Sequence, residues 1–508
     1  MARIKKVLVA NRGEIAIRVM RTCKELGIGT VAVYSEADRA ALHTRFADQA
    51  YLVGPPPSKE SYLVAERILA AAKESGADAI HPGYGFLSEN ANFVRACEKA
   101  GITFIGPPAS AMDAMGEKTR ARAHMTKAGV PVVPGTTEPF KNVEEARVFG
   151  AKIGYPVMLK AAGGGGGKGM RKVERAEDLD SAWRTARSEA QSAFGNDSVY
   201  MEKFVEEPHH VEIQVFGDTY GNCIHLNERE CSAQRRNQKV VEETPSPILT
   251  PELRAAMGEV AVKAAKSVGY VGAGTVEFLV DKNRNFYFLE MNTRLQVEHP
   301  VTEWVTGIDL VAWQIHVAQG GVLPLLEPVE PRGHAIEVRI YAEDPSTNFM
   351  PSPGRIQYIR VPSGPFLRDD SGVYAGYTVP NVYDPMLSKL SVWAPTRREA
   401  ILRMRRALEE YVLKGITTNI RYLKHIIEHP VFVNGDYDTG FLGREHQKLL
   451  GESDPTLTKA SMLAAAVYAH HRAEKQAATI HAAKASGSSG GVSPWRAQGR
   501  RVASWRRS

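Results

Sequence analysis

The sequence predicts a mixed α/β and α+β protein of about three domains, and three observations carry that reading. Strand-like and helix-like runs alternate regularly over about the first 110 residues, the pattern of a parallel α/β layer. Two apolar, aromatic-rich runs, 275–280 (TVEFLV) and 286–290 (FYFLE), flank DKNRN in the manner of a β-hairpin with a five-residue loop. A strand, YPVMLKAA (155–162), runs into GGGGGKGM (163–170), after which MRKV resumes the chain.

In the α/β layer KKVLVAN is the first strand. A helix over about 14–26 follows because Ile15, Val19, Met20, Cys23 and Leu26 recur at helical spacing. Strand TVAVYS (30–35), helix 61–75, strand DAIHP (78–82), helix 89–100 and strand TFIGPP (103–108) complete the alternation. The first turn, ANRGEI, lacks GxGxxG, which argues against a dinucleotide site. Arg18, Arg21 and Glu25 make a charged stripe on the first helix, for which a solvated face and a subunit contact are the two readings. HPGYGFLSEN (81–90) sets Tyr84 between glycines at a strand end, where open α/β sheets hold ligands. A tight turn explains Gly83 and Gly85; a ring lying against a flat ligand is the sharper alternative.

With 43% hydrophobic and 24% charged residues among 508, the chain has the make-up of an ordinary globular protein. No stretch approaches the roughly 18 apolar residues of a membrane span, and MARIKKVLVAN enters a strand at once, leaving no room for a signal or transit peptide. A cytoplasmic protein with no membrane partner is the expectation. Cys23, Cys97, Cys223 and Cys231 form no CxxC pair and no disulfide ladder, so reduced cysteines are expected. The net charge of +7 is not a nucleic-acid footprint, because Arg496, Arg500, Arg501, Arg506 and Arg507 in the tail supply five of the seven charges. No nucleic-acid partner is expected.

The glycine run fails the Walker pattern at both ends, with Ala162 in place of the first glycine and Gly169 in place of the Ser or Thr after Lys168. GxGxxG matches at Gly164, Gly166 and Gly169, but no helix follows. A flexible linker is the plain alternative. Two bracketing strands favour a glycine hairpin closing over phosphates, with Lys160 and Lys168 neutralising charge. Its hinge freedom makes it a candidate lid.

Residues 200–215 (YMEKFVEEPHHVEIQV) set Glu202 and His210 around a strand pair, although a structural histidine is the commoner role for His209 or His210. In LNERECSAQRRNQKVVEE (226–243), Arg235, Arg236 and Lys239 alternate among Gln234, Asn237 and Gln238. That reads as a strand lining a cavity, with a solvated charge run as the alternative. The same cavity is expected along EMNTRLQVEHP (290–300). Extended, this stretch puts Glu290, Asn292, Arg294, Gln296 and Glu298 on one face, either in solvent on an edge strand or as the wall of a site. The hairpin upstream favours the site. Its register brings Glu277 beside Glu290, and two carboxylates pushed together call for a cation between them. With Asn292 they suit Mg²⁺, usually shared with nucleotide phosphates.

ANRGEIAIR, HPGYGFLSEN, GGGGGKGMR, HVEIQV, ERECSAQRRNQKVVEE, EMNTRLQVEHPVTE, GHAIEVRIYAEDP and YDPMLSKL, in this order, resemble the biotin carboxylase component of biotin-dependent carboxylases, an ATP-grasp family. The resemblance runs from about residue 4 to 447. It implies an N-terminal parallel α/β (pre-ATP-grasp) domain over 1–115, an ATP-grasp domain over 116–330 with a mobile glycine-rich lid at about 133–205, a C-terminal α+β domain over 331–447, and a remainder at 448–508. The implied activity is ATP- and bicarbonate-dependent carboxylation of N1′ of biotin through carboxyphosphate. That is the first half-reaction of an acetyl-CoA, other acyl-CoA or pyruvate carboxylase. The implied cofactors are ATP and Mg²⁺ or Mn²⁺, with biotin as a carrier-bound substrate not attached to this chain. The implied partners are a separate biotin carboxyl carrier protein, carboxyltransferase subunits and a second copy of the chain in a homodimer.

Carried over residue by residue, the resemblance assigns ATP to Lys118, Lys160, Glu202, Val205, His210, Gln234, Asn237, Glu277, Leu279 and Glu290, under Gly165, Gly166, Gly167 and Lys168. Glu277, Glu290 and Asn292 match the metal ligands, in agreement with the hairpin argument. Lys239, Arg294, Gln296 and Val297 match the bicarbonate pocket and Glu298 the base; Arg339 faces the ureido oxygen of biotin, with Tyr84 and Asp384 beside that ring. Arg18, Arg21 and Glu25 match a dimer contact.

Two departures from the family stand out: Asn237 replaces a common His, and Tyr341 a common Asn. Asn donates and accepts hydrogen bonds, so altered nucleotide affinity is expected, not loss of activity. The segment 397–430 reads as helix-rich, 456–485 as an Ala-rich helix and SGSSGGVSP (486–494) as a flexible linker. Trp495, Trp505 and the tail arginines form either a solvated tail or a docking segment for another subunit. No AMKM-like carrier motif occurs, so biotin is expected on another chain. The alternatives are a carbamoyl-phosphate-forming ligase and a non-catalytic assembly subunit. The Arg339 motif argues against the first, and the intact Glu298, Arg294, Lys239 and Glu277/Glu290 set against the second.

Overall fold

Five parallel strands form the N-terminal sheet of the computed structural model, which describes residues 3–116, 118–136, 138–161, 170–451 and 455–485. β1 (Lys6–Val9), β2 (Gly29–Ser35), β3 (Gln49–Gly54), β4 (Ala79–His81) and β5 (Thr103–Phe104) lie in the order β3-β2-β1-β4-β5. The loops after β1 and β4 therefore meet at the carboxyl edge of the sheet. There the Asn11 side-chain amide donates to the carbonyls of Pro82 and Tyr84, both at 2.7 Å. Gly83 has φ +63°, and a Cβ on it would come within 2.9 Å of the Asn11 amide, so both conformation and space call for glycine.

α1 (Gly13–Glu25) buries Ile15, Val19, Met20 and Cys23, as their spacing predicts, whereas Leu26, expected on the same face, is the C-cap and exposed. Its charged residues do not form one solvated stripe. Arg18 is only 5% exposed and donates to Glu303 at 2.6 Å and Asp309 at 2.8 Å within the chain, while Arg21 and Glu25 are exposed. Other expectations shift at their ends. The helix over 61–75 begins at Ala65, after a 3-10 turn at Ser58–Glu60, and the helix over 89–100 spans Ala91–Lys99. The strand over 103–108 stops at Phe104, ahead of Pro107 and Pro108, which carry no ladder donor. β3 has no counterpart in the predicted alternation, because at the sheet edge it buries only Val53.

Among the described residues, two antiparallel sheets of three or more strands follow, beside three two-stranded ones. β6 (Val157–Ala161), β7 (Met170–Val173) and β8 (Val199–Lys203) form the smaller, in the order β7-β6-β8. Lys160 of β6 stands opposite Met170 and Tyr200. The glycine run between β6 and β7, expected as the lid, lies outside the described residues, as do Gly165, Gly166, Gly167 and Lys168. The larger sheet has eight strands. β9 (His209–Gly217), β10 (Cys223–Arg235), β11 (Gln238–Thr244), β12 (Gly272–Val280), β13 (Phe286–Asn292) and β14 (His334–Tyr341) run in the order β13-β12-β9-β10-β11-β14, followed by Met386–Ala394 and Leu367–Ser371. β8 and β9, expected as a pair, belong to different sheets.

Packing decides which face of the larger sheet becomes a site. Val211, Ile213 and Val215 of β9 and Val276 and Phe278 of β12 share a core with Met257, Ala261, Ala264 and Ala265 of the helix Pro251–Ser267. The alternate residues, His210, Glu212 and Gln214 on β9 and Thr275 and Glu277 on β12, are thereby turned to the opposite face. The hairpin register is as predicted, with Glu277 opposite Glu290 and residues 281–285 as its loop. The extended row is not. The chain leaves β13 at Asn292, residues 293–298 turn, and a helix starts at His299 with Pro300 in its first turn.

After Met386–Ala394 the helix Arg397–Glu410 opens on a capping box between Thr396 and Glu399, and helices Ile420–Glu428 and Pro430–Asn434 follow. All four cysteines are free and buried. The chain divides into two units after Leu450. In the second, Pro455–Ala485 is a 31-residue helix; the expected linker and basic tail lie outside the described residues. Among the described residues no helix is long and apolar enough to cross a membrane.

Candidate active site

A cavity of about 540 Å³ opens between the two antiparallel sheets. Lys160 and Glu202 line it from the smaller sheet, and His210, Gln234, Lys239, Glu277, Leu279, Glu290 and Asn292 from the larger. Val205, Asn237, Arg294, Gln296, Val297, Glu298, Arg339 and Asp384 complete the wall. These are residues that the resemblance distributes among nucleotide, metal, bicarbonate and biotin.

Lys239 is the centre of charge. Its ammonium donates to Glu277 at 2.8 Å, to Glu298 at 2.6 Å and to Glu212. Burial disfavours its charged form, but those three carboxylates outweigh it and hold the lysine well above its ordinary pKa. Glu298 is buried too, which alone would raise its pKa. Lys239, Arg339 and Arg229 more than offset that and keep its carboxyl well below the usual range. A carboxylate so held is ionised at neutral pH.

Glu277 accepts from Asn292 at 2.9 Å and Gln296 at 2.8 Å as well as from Lys239, and its other oxygen lies 3.0 Å from His210. His210 is pulled down by burial and up more strongly by Glu277, so its pKa is raised. The amide oxygen of Asn292 accepts from Arg294 at 2.9 Å. Two facing carboxylates and an amide form an oxygen donor set suited to Mg²⁺. Among the described residues, His210–Glu212–Glu277 and Glu212–Cys231–Glu298 also bring possible ligand atoms within 4.8 Å of one another, but Lys239 and Arg229 already supply positive charge there.

On the far wall, Arg339 donates to Glu298 at 3.0 Å and to Glu242 at 2.6 Å. Burial pushes Glu242 up to about 7 against the pull of Arg339. Asp384 is exposed at the rim and accepts from the Met386 amide at 2.8 Å. Tyr84 is not on the cavity wall; its hydroxyl donates to Glu14. From the side of the smaller sheet, Glu202 joins Lys160 to Arg122. Lys118 opens the helix Lys118–Lys127, but its side chain lies outside the described residues.

Sequence reasoning misses Arg122, Glu89, Glu212, Arg229 and Glu242. Glu89 accepts from the Thr293 amide at 3.0 Å and from Arg294 at 3.1 Å, fixing the turn after β13. Arg229 is fully buried and spends all five N–H donors, on Glu212, Gln214, Thr302, Thr275 and Gln296. The available signal was alternation: His210, Glu212 and Gln214 are spaced by two, as are Thr275 and Glu277.

Three family models match in sequence: "Biotin carboxylase, N-terminal domain" over residues 3–112, "Carbamoyl-phosphate synthase L chain, ATP binding domain" over 117–326, and "Biotin carboxylase C-terminal domain" over 337–444. Biotin carboxylase 1 of Bacillus subtilis is 56% identical over 441 residues, 86% of this chain and 98% of that protein. A pyruvate carboxylase component of Methanothermobacter thermautotrophicus is 55% identical, over 86% of this chain and 89% of the relative. Among solved structures, the biotin carboxylase domain dimer of Hydrogenobacter thermophilus 2-oxoglutarate carboxylase, in complex with MgADP, ADP and bicarbonate, superimposes with TM-score 0.84 at 50% identity, over 89% of this chain and all of that one. A biotin carboxylase from Campylobacter jejuni gives 0.84 at 51%, over 87% of this chain and 99% of that one.

Proposed function

The chain belongs to the biotin carboxylase family, and from that premise we propose how the residues of its cavity divide the work. The reaction is ATP- and bicarbonate-dependent carboxylation of biotin, carried out by an ATP-grasp ligase that uses Mg²⁺. The observation that carries the assignment is the array Lys239–Glu298–Arg339, which puts one ionised carboxylate between two cations at the inner wall of the cavity.

Bicarbonate is bound as an anion by Lys239 and Arg294, with Gln296 and the backbone at Val297 completing its pocket. Its arrival competes with the carboxylates that now occupy Lys239. Glu298 takes the bicarbonate proton, and the freed oxygen attacks the γ-phosphorus of ATP held by Lys118, Lys160 and His210. Mg²⁺ or Mn²⁺ on Glu277, Glu290 and Asn292 would supply neutralisation of phosphate charge. ADP leaves, the carbon–oxygen bond of carboxyphosphate breaks to give CO₂ and phosphate, the phosphate takes the N1′ proton of biotin, and the electron pair left on N1′ attacks CO₂ to form the N–C bond of carboxybiotin. The ureido oxygen becomes enolate-like in this step, and the guanidinium of Arg339 stabilises it without giving up a proton.

Biotin arrives on a separate carrier protein, and a carboxyltransferase chooses the acceptor. Relatives named for pyruvate and 2-oxoglutarate carboxylases sit at similar identity to this chain, which fits an acceptor selected outside this site. The exposed Arg21 and Glu25 of α1 contribute to a homodimer contact, and the enzyme works in the cytoplasm. The test is ADP release by the full chain with bicarbonate, with and without free biotin. Stimulation by biotin is expected; bicarbonate-dependent turnover indifferent to biotin would overturn the reading in favour of another ATP-grasp substrate.

A further inference from the structure

The base Glu298 caps the helix that starts at His299, at the end of a segment that is neither strand nor helix. Residues 293–298 lie between the end of β13 and the helix that starts at His299. What pins this turn next to the base is a lysine from another part of the sheet. Lys389, on the strand Met386–Ala394, is fully buried and donates to the carbonyl oxygen of Val297 at 2.6 Å. That carbonyl and the N–H of Glu298 belong to one planar peptide, so holding the oxygen sets the direction in which Glu298 leaves the backbone.

The lysine is itself placed by its surroundings. It stands opposite Arg339 in one strand pair and opposite Asp370 in the other. Its ammonium lies 3.6 Å from Glu14, which also accepts from the Tyr84 hydroxyl. One side chain thus ties the peptide carrying Glu298 to the strand beside Arg339, and ties both to the loop carrying Tyr84.

We propose that Lys389 is a positioning residue for the bicarbonate step: it orients the Val297–Glu298 peptide so that the carboxylate of Glu298 and the backbone of the bicarbonate pocket keep their places relative to Arg339. The proposal rests on the assignment of Glu298 and Val297 to bicarbonate made above. It gives Glu14 and Tyr84 a role in holding Lys389. An ammonium-to-carbonyl bond is charge-assisted, and losing such a bond corresponds to roughly a tenfold to hundredfold change in an equilibrium constant.

The experiment measures ADP release by the full chain while bicarbonate and ATP are varied separately, for the wild type, Lys389→Met and Lys389→Gln. Methionine keeps the length and removes the donor; glutamine restores a donor. The expected result is a bicarbonate KM raised at least about tenfold in Lys389→Met, an ATP KM within about twofold of wild type, and partial recovery in Lys389→Gln. A bicarbonate KM that does not move in the methionine variant overturns the proposal. Equal losses for ATP and bicarbonate, unrelieved by glutamine, also overturn it and reduce Lys389 to a structural role. If methionine prevents folding, Glu14→Gln provides the second reading: it loosens the hold on Lys389, and its bicarbonate KM must rise while its ATP KM stays. Wild-type turnover that depends on bicarbonate but not on biotin would remove the biotin assignment and still leave the Lys389 comparison readable.

Discussion

The ammonium of Lys239 lies 2.6 Å from one oxygen of Glu298, and the other oxygen of the same carboxylate takes a 3.0 Å bond from Arg339. Two cations on one buried acid keep it ionised and aimed, so removing its charge without changing its shape isolates the base function. Glu298→Gln is expected to lower biotin-dependent ADP release by about 10²–10⁴-fold, with the ATP KM within about threefold of wild type. Steady-state kinetics on both substrates check this. A variant keeping more than about a tenth of the wild-type rate would move the base role to another group.

Arg339 holds Glu242 and Glu298 with different nitrogens of one planar fork, a geometry that lysine cannot copy. Arg339→Lys keeps the charge and loses the fork. The expected outcome is a fall of about 10²-fold in biotin-stimulated turnover and a clearly smaller fall in bicarbonate-dependent ATP hydrolysis without biotin, because lysine keeps a positive charge beside Glu298. Comparing the two rates in one preparation is the check. Equal losses in both would place Arg339 in bicarbonate handling, not on biotin.

How much of this site was legible follows from where its pattern arises. The pairing of Glu277 with Glu290 could be read because a five-residue loop between two apolar runs leaves little choice of register. The row from Glu290 to Glu298 looked like one strand because its polar residues alternate. In fact Thr293 and Leu295 are buried on the inside of a turn, and Glu298 reaches the cavity because the following helix begins at His299. Arg229, Glu242 and Lys389 stayed hidden for another reason. Alternation says that charged residues share a face, but not whether a second layer covers it, and a fully buried arginine or lysine is rare enough that solvent is the default reading. Only the sheet order, which joins β11 to β14 and β14 to Met386–Ala394, brings Glu242, Arg339 and Lys389 together. Arg18 illustrates the same limit: its partners Glu303 and Asp309 are far away in sequence.

Glu243 sets a distinct acid limb for stability. Burial would raise its pKa, but the hydrogen bond from His334 and the charge of Arg397 outweigh it and bring it from an ordinary 4.5 down to about 2. Arg397 donates to both of its oxygens, at 2.8 and 2.9 Å, and Tyr437 adds a bond of 2.6 Å. A carboxyl whose folded pKa is depressed stabilises the fold above its unfolded value, and that stabilisation is lost as pH falls through the folded one. The difference between wild type and Glu243→Gln should therefore be about 3 kcal/mol at neutral pH and shrink between about pH 4.5 and 2. Urea unfolding midpoints at several pH values measure it. A gap that stays constant across that window would rule out the linkage and leave packing as the cause.

Asn237 sits in the two-residue turn joining β10 to β11, where Arg236 has φ 49° and Asn237 φ 64°. Two successive left-handed residues make the tight hairpin turn that suits the twist of paired strands, and asparagine is among the few side chains that enter this region readily. Its side chain also lines the cavity, as do those of Gln234 and Gln238. Asn237→His introduces the residue that the resemblance implies, at a position whose backbone favours asparagine. The exchange should cost less than about 1 kcal/mol of stability through the backbone, since histidine also enters the left-handed region more readily than most residues. It should also change the ATP KM by less than about tenfold in either direction, about one hydrogen bond's worth, and leave the bicarbonate KM unchanged, because Lys239, Arg294 and Glu298 lie beyond the turn. Titrating both substrates with each protein decides the matter. An altered bicarbonate KM with an unaltered ATP KM would show that the turn reports to the base end of the cavity and not to the nucleotide.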